Sequence, residues 1–166
     1  KNPDVIFAPS SITTAPLLIQ QARELGITSP IMGGDTWENA TIIENAGAHA
    51  EGIVLSTFFD EAEPATDEAA SFITGFKEYL VENGQDEIIP AVSALGYDAY
   101  LTALEGIKAA NSTEGPAIRD ALAGVSLVGV TGAISFNEIG DANKDMAFIK
   151  TVENGAFKFL MTVSVE

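Results

Sequence analysis

Residues 30–39, PIMGGDTWEN, set a carboxylate and the chain's only tryptophan directly behind two glycines at the end of an apolar run. Gly33 and Gly34 let the backbone turn sharply and leave room for another group to approach. An aspartate on a partly desolvated strand end is costly unless a cation or hydrogen-bond donors satisfy it. Two fates are open to Asp35. It caps the helix expected over residues 39–46 or bonds the N–H groups of its own turn, or it receives a ligand. An acid beside an aromatic face suits an ammonium group, and Trp37 either supplies that face or packs beneath the loop. A second loop of interest follows the first apolar run and carries Ser10, Ser11 and Thr13.

Other chemistries find little support. The single histidine, His49, falls on an expected helix-to-strand loop, and there is no G-x-S-x-G elbow, so a serine triad is disfavoured. No phosphate loop is present, and GVTG at 129–132 is too short for G-x-G-x-x-G. Asp141, Asn143 and Asp145 begin like a calcium loop, but Met146 replaces the sixth-position glycine and Val152 the twelfth-position glutamate. An ordered turn is expected there, with no metal and no cofactor. Cysteine is absent, which removes disulfides, zinc thiolates, iron–sulfur clusters and thiol catalysis without fixing a compartment.

The elements that must position these residues follow from the pattern. Residues 4–8 read as a buried strand broken at Pro9. Pro16, Leu17, Leu18, Gln21, Ala22 and Leu25 keep helical spacing up to Gly26. Residues 30–34 form a second strand, Asn39 caps a short helix ending at Gly47, and residues 52–58 form a third strand. Strand–helix–strand–helix–strand with short connections implies a parallel α/β sheet with right-handed crossovers. In such sheets ligands bind at the carboxyl ends of the strands, where the Ser10–Ser11 and Asp35–Trp37 loops lie. Residues 69–82 and 92–110 read as helices, and a third opens at Ser112 or Thr113 with Pro116. Residues 132–136 alternate as a strand, and 146–152 and 156–163 flank Asn154-Gly155, a strong hairpin signal.

The 166 residues carry 24 acids against 8 Lys and Arg, a net charge of −16. That balance repels phosphate backbones and anionic lipid, so neither nucleic acid nor a membrane surface is an expected partner. Nine acids crowd residues 57–90 beside Lys77 alone, which reads as a solvated helix face plus an acidic loop. No apolar run approaches the ~20 residues of a membrane helix, and a targeting signal is read as absent or already removed.

The strings NPDVIFAPSSITTAPLLIQQARELGITSPIMGGDTWEN, AEGIVLSTFF, ALGYDAYLTALEGIKAA and GVTGAISFNEIGDANKDMAFIKTVENGAFKF, in this order, resemble type I solute-binding proteins of bacterial ABC importers, above all the branched-chain amino acid receptors. The resemblance spans essentially the whole chain and implies a periplasmic-binding-protein type I fold, α/β, with parallel-sheet three-layer lobes closing on a solute. It implies an incomplete, C-terminal piece: residues 1–57 and 149–166 belong to lobe two and 58–148 to lobe one. It also implies that Asp35 pairs with the α-ammonium group of an amino acid. Ser11, beside Ser10, and Val92 fall where relatives often carry aromatics. That departure argues for a smaller or more polar side chain.

The function so implied is capture of an amino-acid-like solute outside the cytoplasm and its delivery to an ABC permease, by a receptor that is periplasmic, extracellular or anchored as a lipoprotein. No catalysis is expected. A ligand-sensing regulatory domain of the same fold is the alternative, which would hand its signal to a partner protein. A small flavodoxin-like enzyme, which would need a cofactor, is the alternative from another class. Lost sheet strands would leave exposed edges, to be covered by the complementary piece, by repacking, or by strand exchange with a second copy as a dimer.

Overall fold

The computed structural model describes residues 3–85, 87–144 and 146–164. The chain divides into two compact units, residues 1–58 with 147–163 and residues 59–146 with 164–166.

The first unit is built on β1 (Ile6–Phe7), α1 (Ala15–Glu24), β2 (Ile31–Gly33), α2 (Ala40–Ala46) and β3 (Val54–Thr57). Pro9 has no N–H to offer a ladder, which accounts for the brevity of β1. Gly26, at φ +75°, lies just beyond α1, and Asn39 caps α2 by accepting the Thr41 N–H at 2.9 Å. β1, β2 and β3 pair in parallel, as the alternation of elements requires.

The sheet does not stay parallel. β6 (Met146–Glu153) runs antiparallel to β3, with Thr57 opposite Phe148 and Leu55 opposite Lys150. β7 (Ala156–Ser164) lies beside β6, giving the order β1-β2-β3-β6-β7. Asn154 and Gly155, both at positive φ (54° and 70°), make the tight turn that their types demand. The Glu51 carboxylate accepts both of their N–H groups, at 3.0 and 2.6 Å. Ile19, Ile31, Trp37, Ile42, Ile53, Leu55 and Val152 form the core of this unit.

The second unit holds α3 (Asp67–Glu82), α4 (Ala91–Ala110), α5 (Gly115–Leu122) and a two-stranded ribbon, β4 (Leu127–Gly129) with β5 (Gly132–Ile134). β4 has no counterpart among the sequence expectations: LVG is too short to carry a period. Ser112 does not cap α5 directly. Its Oγ accepts the Glu114 N–H at 3.1 Å, before the helix begins. Phe59, Ala69, Leu80, Ile89 and Val130 pack together, with Phe72 stacked on Phe76.

Asp98 of α4 is buried beneath the β4–β5 turn. Its carboxylate accepts the N–H groups of Val130 (2.7 Å) and Thr131 (2.8 Å) and the Thr131 hydroxyl (2.6 Å). Gly129 is required above it, because a Cβ there would lie 2.4 Å from Asp98 Oδ1. The turn expected in the calcium-like segment lies just before it instead, where the Asn137 side chain accepts the Ile139 and Asp141 N–H groups. Within the segment Ala142 bridges Phe136, the Asn143 N–H bonds the Ser135 carbonyl at 2.8 Å, and Met146 to Val152 lie in β6. Asp145, the third residue of that pattern, lies outside the described residues, as does Asp86 of the acidic run. Among the described residues no helix is long and apolar enough to cross a membrane.

Candidate functional site

Parallel pairing places the ends of β1 and β2 side by side, so the two loops singled out from sequence emerge together. The Ser10 carbonyl joins them. It accepts the Trp37 indole N–H at 3.0 Å and the Thr36 hydroxyl at 3.3 Å. Residues Asp35–Trp37 form one 3-10 turn that begins at the extended Gly34.

Asp35 is half-buried in this turn. The α2 cap is filled by Asn39, so the capping role open to Asp35 is taken. Among the described residues its carboxylate accepts one hydrogen bond, from the Thr36 N–H at 2.9 Å. One local N–H leaves most of the lone-pair capacity of an ionised carboxylate unused by protein donors.

Trp37 is fully buried. Its ring lies on Gly33, where an added Cβ would come 2.1 Å from Cδ2. The indole is therefore a floor under the loop. Gly33→Ala is expected to lower stability by about 3 kcal/mol through overpacking. Gly34→Ala, whose Cβ would meet nothing within 4 Å, should stay within about 0.5 kcal/mol. Urea unfolding followed by Trp37 fluorescence reads both; equal losses would mean that the turn, not the ring, sets the requirement.

Ser10 Oγ is buried and has no hydrogen-bond partner among the described residues. A buried hydroxyl left unmatched is disfavoured by about 1–3 kcal/mol, so one here invites a donor or acceptor from outside the chain. Ser11 is exposed and bonds Thr13 Oγ1 (2.9 Å) and Thr14 Oγ1 (3.1 Å), organising the entry to α1. Val92 belongs to the other unit, in the first turn of α4, and is exposed.

Sequence reasoning overlooked three residues next to this turn. Glu38, which follows Trp37, sends one carboxylate oxygen to the Lys150 ammonium group and accepts the Thr57 hydroxyl on the other at 2.6 Å. All three are buried: the Lys150 and Glu38 side chains are 8% and 7% exposed and Thr57 is 0%. A signal for them existed. Alternation in β6 puts Lys150 on the same inward face as Phe148 and Val152, and an inward lysine requires an anion.

Residues 1–156 match the family model described as periplasmic binding protein. Among solved structures, the chain is similar to a leucine-binding protein from Thermotoga maritima, at 31% identity and a TM-score of 0.83, over 98% of this chain and 45% of that one. It is similar to the substrate-binding protein of a branched-chain amino acid transporter from Streptococcus pneumoniae, solved with isoleucine, at 28% identity and a TM-score of 0.75, over 99% of this chain and 45% of that one. A solute-binding protein of an ABC transporter from Rhodopseudomonas palustris, in complex with benzoate, shares the fold at 18% identity and a TM-score of 0.73, over 98% of this chain and 43% of that one. The chain thus spans less than half the length of each. No curated protein matches it in sequence.

Proposed function

The chain belongs to the periplasmic binding protein family, and from that premise we propose that it is part of an extracytoplasmic receptor that captures an amino acid or similar small polar solute and delivers it to an ABC permease. The observation that carries this reading is the Asp35 carboxylate, half-buried at the carboxyl end of β2, beside the Ser10 hydroxyl: among the described residues the first has a single protein donor and the second no partner. Asp35 receives the ammonium group of the solute. Ser10 and Ser11 meet its polar part, Trp37 supports the loop from below, and Val92, in the other unit, is given no contact. No bond is made or broken, and capture rests on the higher affinity of one conformation for the solute.

Similarity to receptors named for leucine and for branched-chain amino acids supports the amino-acid class. The hydroxyls of Ser10 and Ser11 favour a side chain smaller or more polar than isoleucine. Thermal unfolding of the full-length receptor to which this chain belongs, in the presence of each standard amino acid, tests this. A solute at ~100 times its Kd should add about 2.7 kcal/mol of stability. Alanine, serine or threonine should give the largest shift, and Asp35→Asn should abolish it. Equal stabilisation of the Asp35→Asn variant would place the ammonium group elsewhere, and no stabilisation by any amino acid would overturn the amino-acid reading.

A further inference from the structure

Glu38, Lys150 and Thr57 form a buried polar cluster on a face that is otherwise core. Leu55, Thr57, Phe148, Lys150 and Val152 are all buried there. Two ionised side chains held out of water add little net stability, since apolar replacements of similar volume commonly do as well. What such a pair does supply is a fixed geometry, because a buried charge is tolerated only where its partners satisfy it.

That geometry is anchored at informative places. Glu38 closes the 3-10 turn that holds Asp35, three residues after it. Its two carboxylate oxygens reach two different strands, Thr57 at the end of β3 and Lys150 on β6. At the ends of those strands the chain leaves this unit, after Phe58, and re-enters it, at Ala147. One carboxylate therefore bridges the Asp35 turn to both crossing strands.

We propose that Glu38, held by Lys150 and Thr57, is the positioning residue of the Asp35 turn, fixing the solute-facing carboxylate to the strands through which the chain enters and leaves this unit. Its bearing on solute rests on the function proposed above; its action on the turn does not. Trp37, the only tryptophan, sits in the same turn and reports on it without any solute.

The test is acrylamide quenching of Trp37 in the 166-residue chain, with far-UV circular dichroism to confirm folding. The wild-type indole is fully buried and hydrogen-bonded to Ser10, so it quenches weakly. In the double variant Glu38→Leu/Lys150→Met, which keeps packing and removes both charges, the quenching constant should rise at least twofold. Thr57→Val should raise it by a smaller factor. Lys150→Arg, which restores a cation, should stay at the wild-type value. Wild-type quenching in a folded double variant overturns the proposal. If the double variant does not fold, Thr57→Val decides, and wild-type quenching there overturns it equally.

A second arm titrates L-threonine, and affinity should fall several-fold in the double variant with Asp35 intact. If the wild-type chain binds no L-threonine, that counts against the solute reading alone. The fluorescence result still decides whether Glu38 positions the turn.

Discussion

Lys150→Met should lower the stability of the chain by about 3–5 kcal/mol, because it breaks a buried ion pair by removing one partner. The methionine restores most of the buried apolar volume, so the loss is chiefly electrostatic. The diagnostic is the double variant. Removing both charges with Glu38→Leu/Lys150→Met should return stability to within about 1 kcal/mol of the wild type or above it. A double-mutant cycle from urea unfolding therefore should show a coupling of at least about 3 kcal/mol, well beyond the ~0.5 kcal/mol within which independent sites add. Additive effects of the two substitutions would mean that Lys150 and Glu38 do not satisfy one another in solution.

Asp98→Ala should cost a comparable amount, about 4 kcal/mol. Its carboxylate is the acceptor for two buried N–H groups and one hydroxyl. The Thr131 hydroxyl can rotate away, but the N–H groups of Val130 and Thr131 cannot, and each buried orphan costs about 1–3 kcal/mol. Asp98→Asn should lose about half as much. The two N–H groups use different oxygens, and an amide can serve only one of them while its NH2 opposes the other donor. Urea denaturation followed by circular dichroism separates the two variants, and an alanine variant as stable as the asparagine variant would show that water replaces the carboxylate. A loss of this size is a large part of the ~5–15 kcal/mol that holds a domain folded.

Most of the first unit's architecture is legible in the sequence. Residues 1–58 alternate apolar runs with helical spacing, and β1, α1, β2, α2 and β3 follow in that order. Asn39, Gly26 and Asn154-Gly155 act as the local chemistry of caps and turns requires. The ordered strings also resemble solute-binding proteins, and the family match over residues 1–156 agrees. The parallel pairing expected for residues 1–58 holds, and the tail adds β6 antiparallel to β3. That reversal is set by which strand edge the tail finds, a long-range choice that no local pattern states.

The candidate site was half legible. The glycines and the strand end pointed to Asp35, and the two hydroxyl-bearing residues of the neighbouring loop pointed to Ser10 and Ser11. The role of Trp37 was undecidable from its position, because only packing shows the ring lying on Gly33 and bonded to the Ser10 carbonyl. Glu38 escaped notice among 24 acids. Its partners lie 19 and 112 residues away in the chain, and their meeting depends on the β3–β6 register. A slip of one residue would turn Lys150 to the opposite face and separate it from Glu38.

By itself, the sequence determined the elements, their order and the family, because periodicity, caps and turns act over a few residues. Only the tertiary structure decided which buried charges meet and which side chains support the Asp35 turn, because those pairings are fixed by strand register and close packing between segments far apart in the chain.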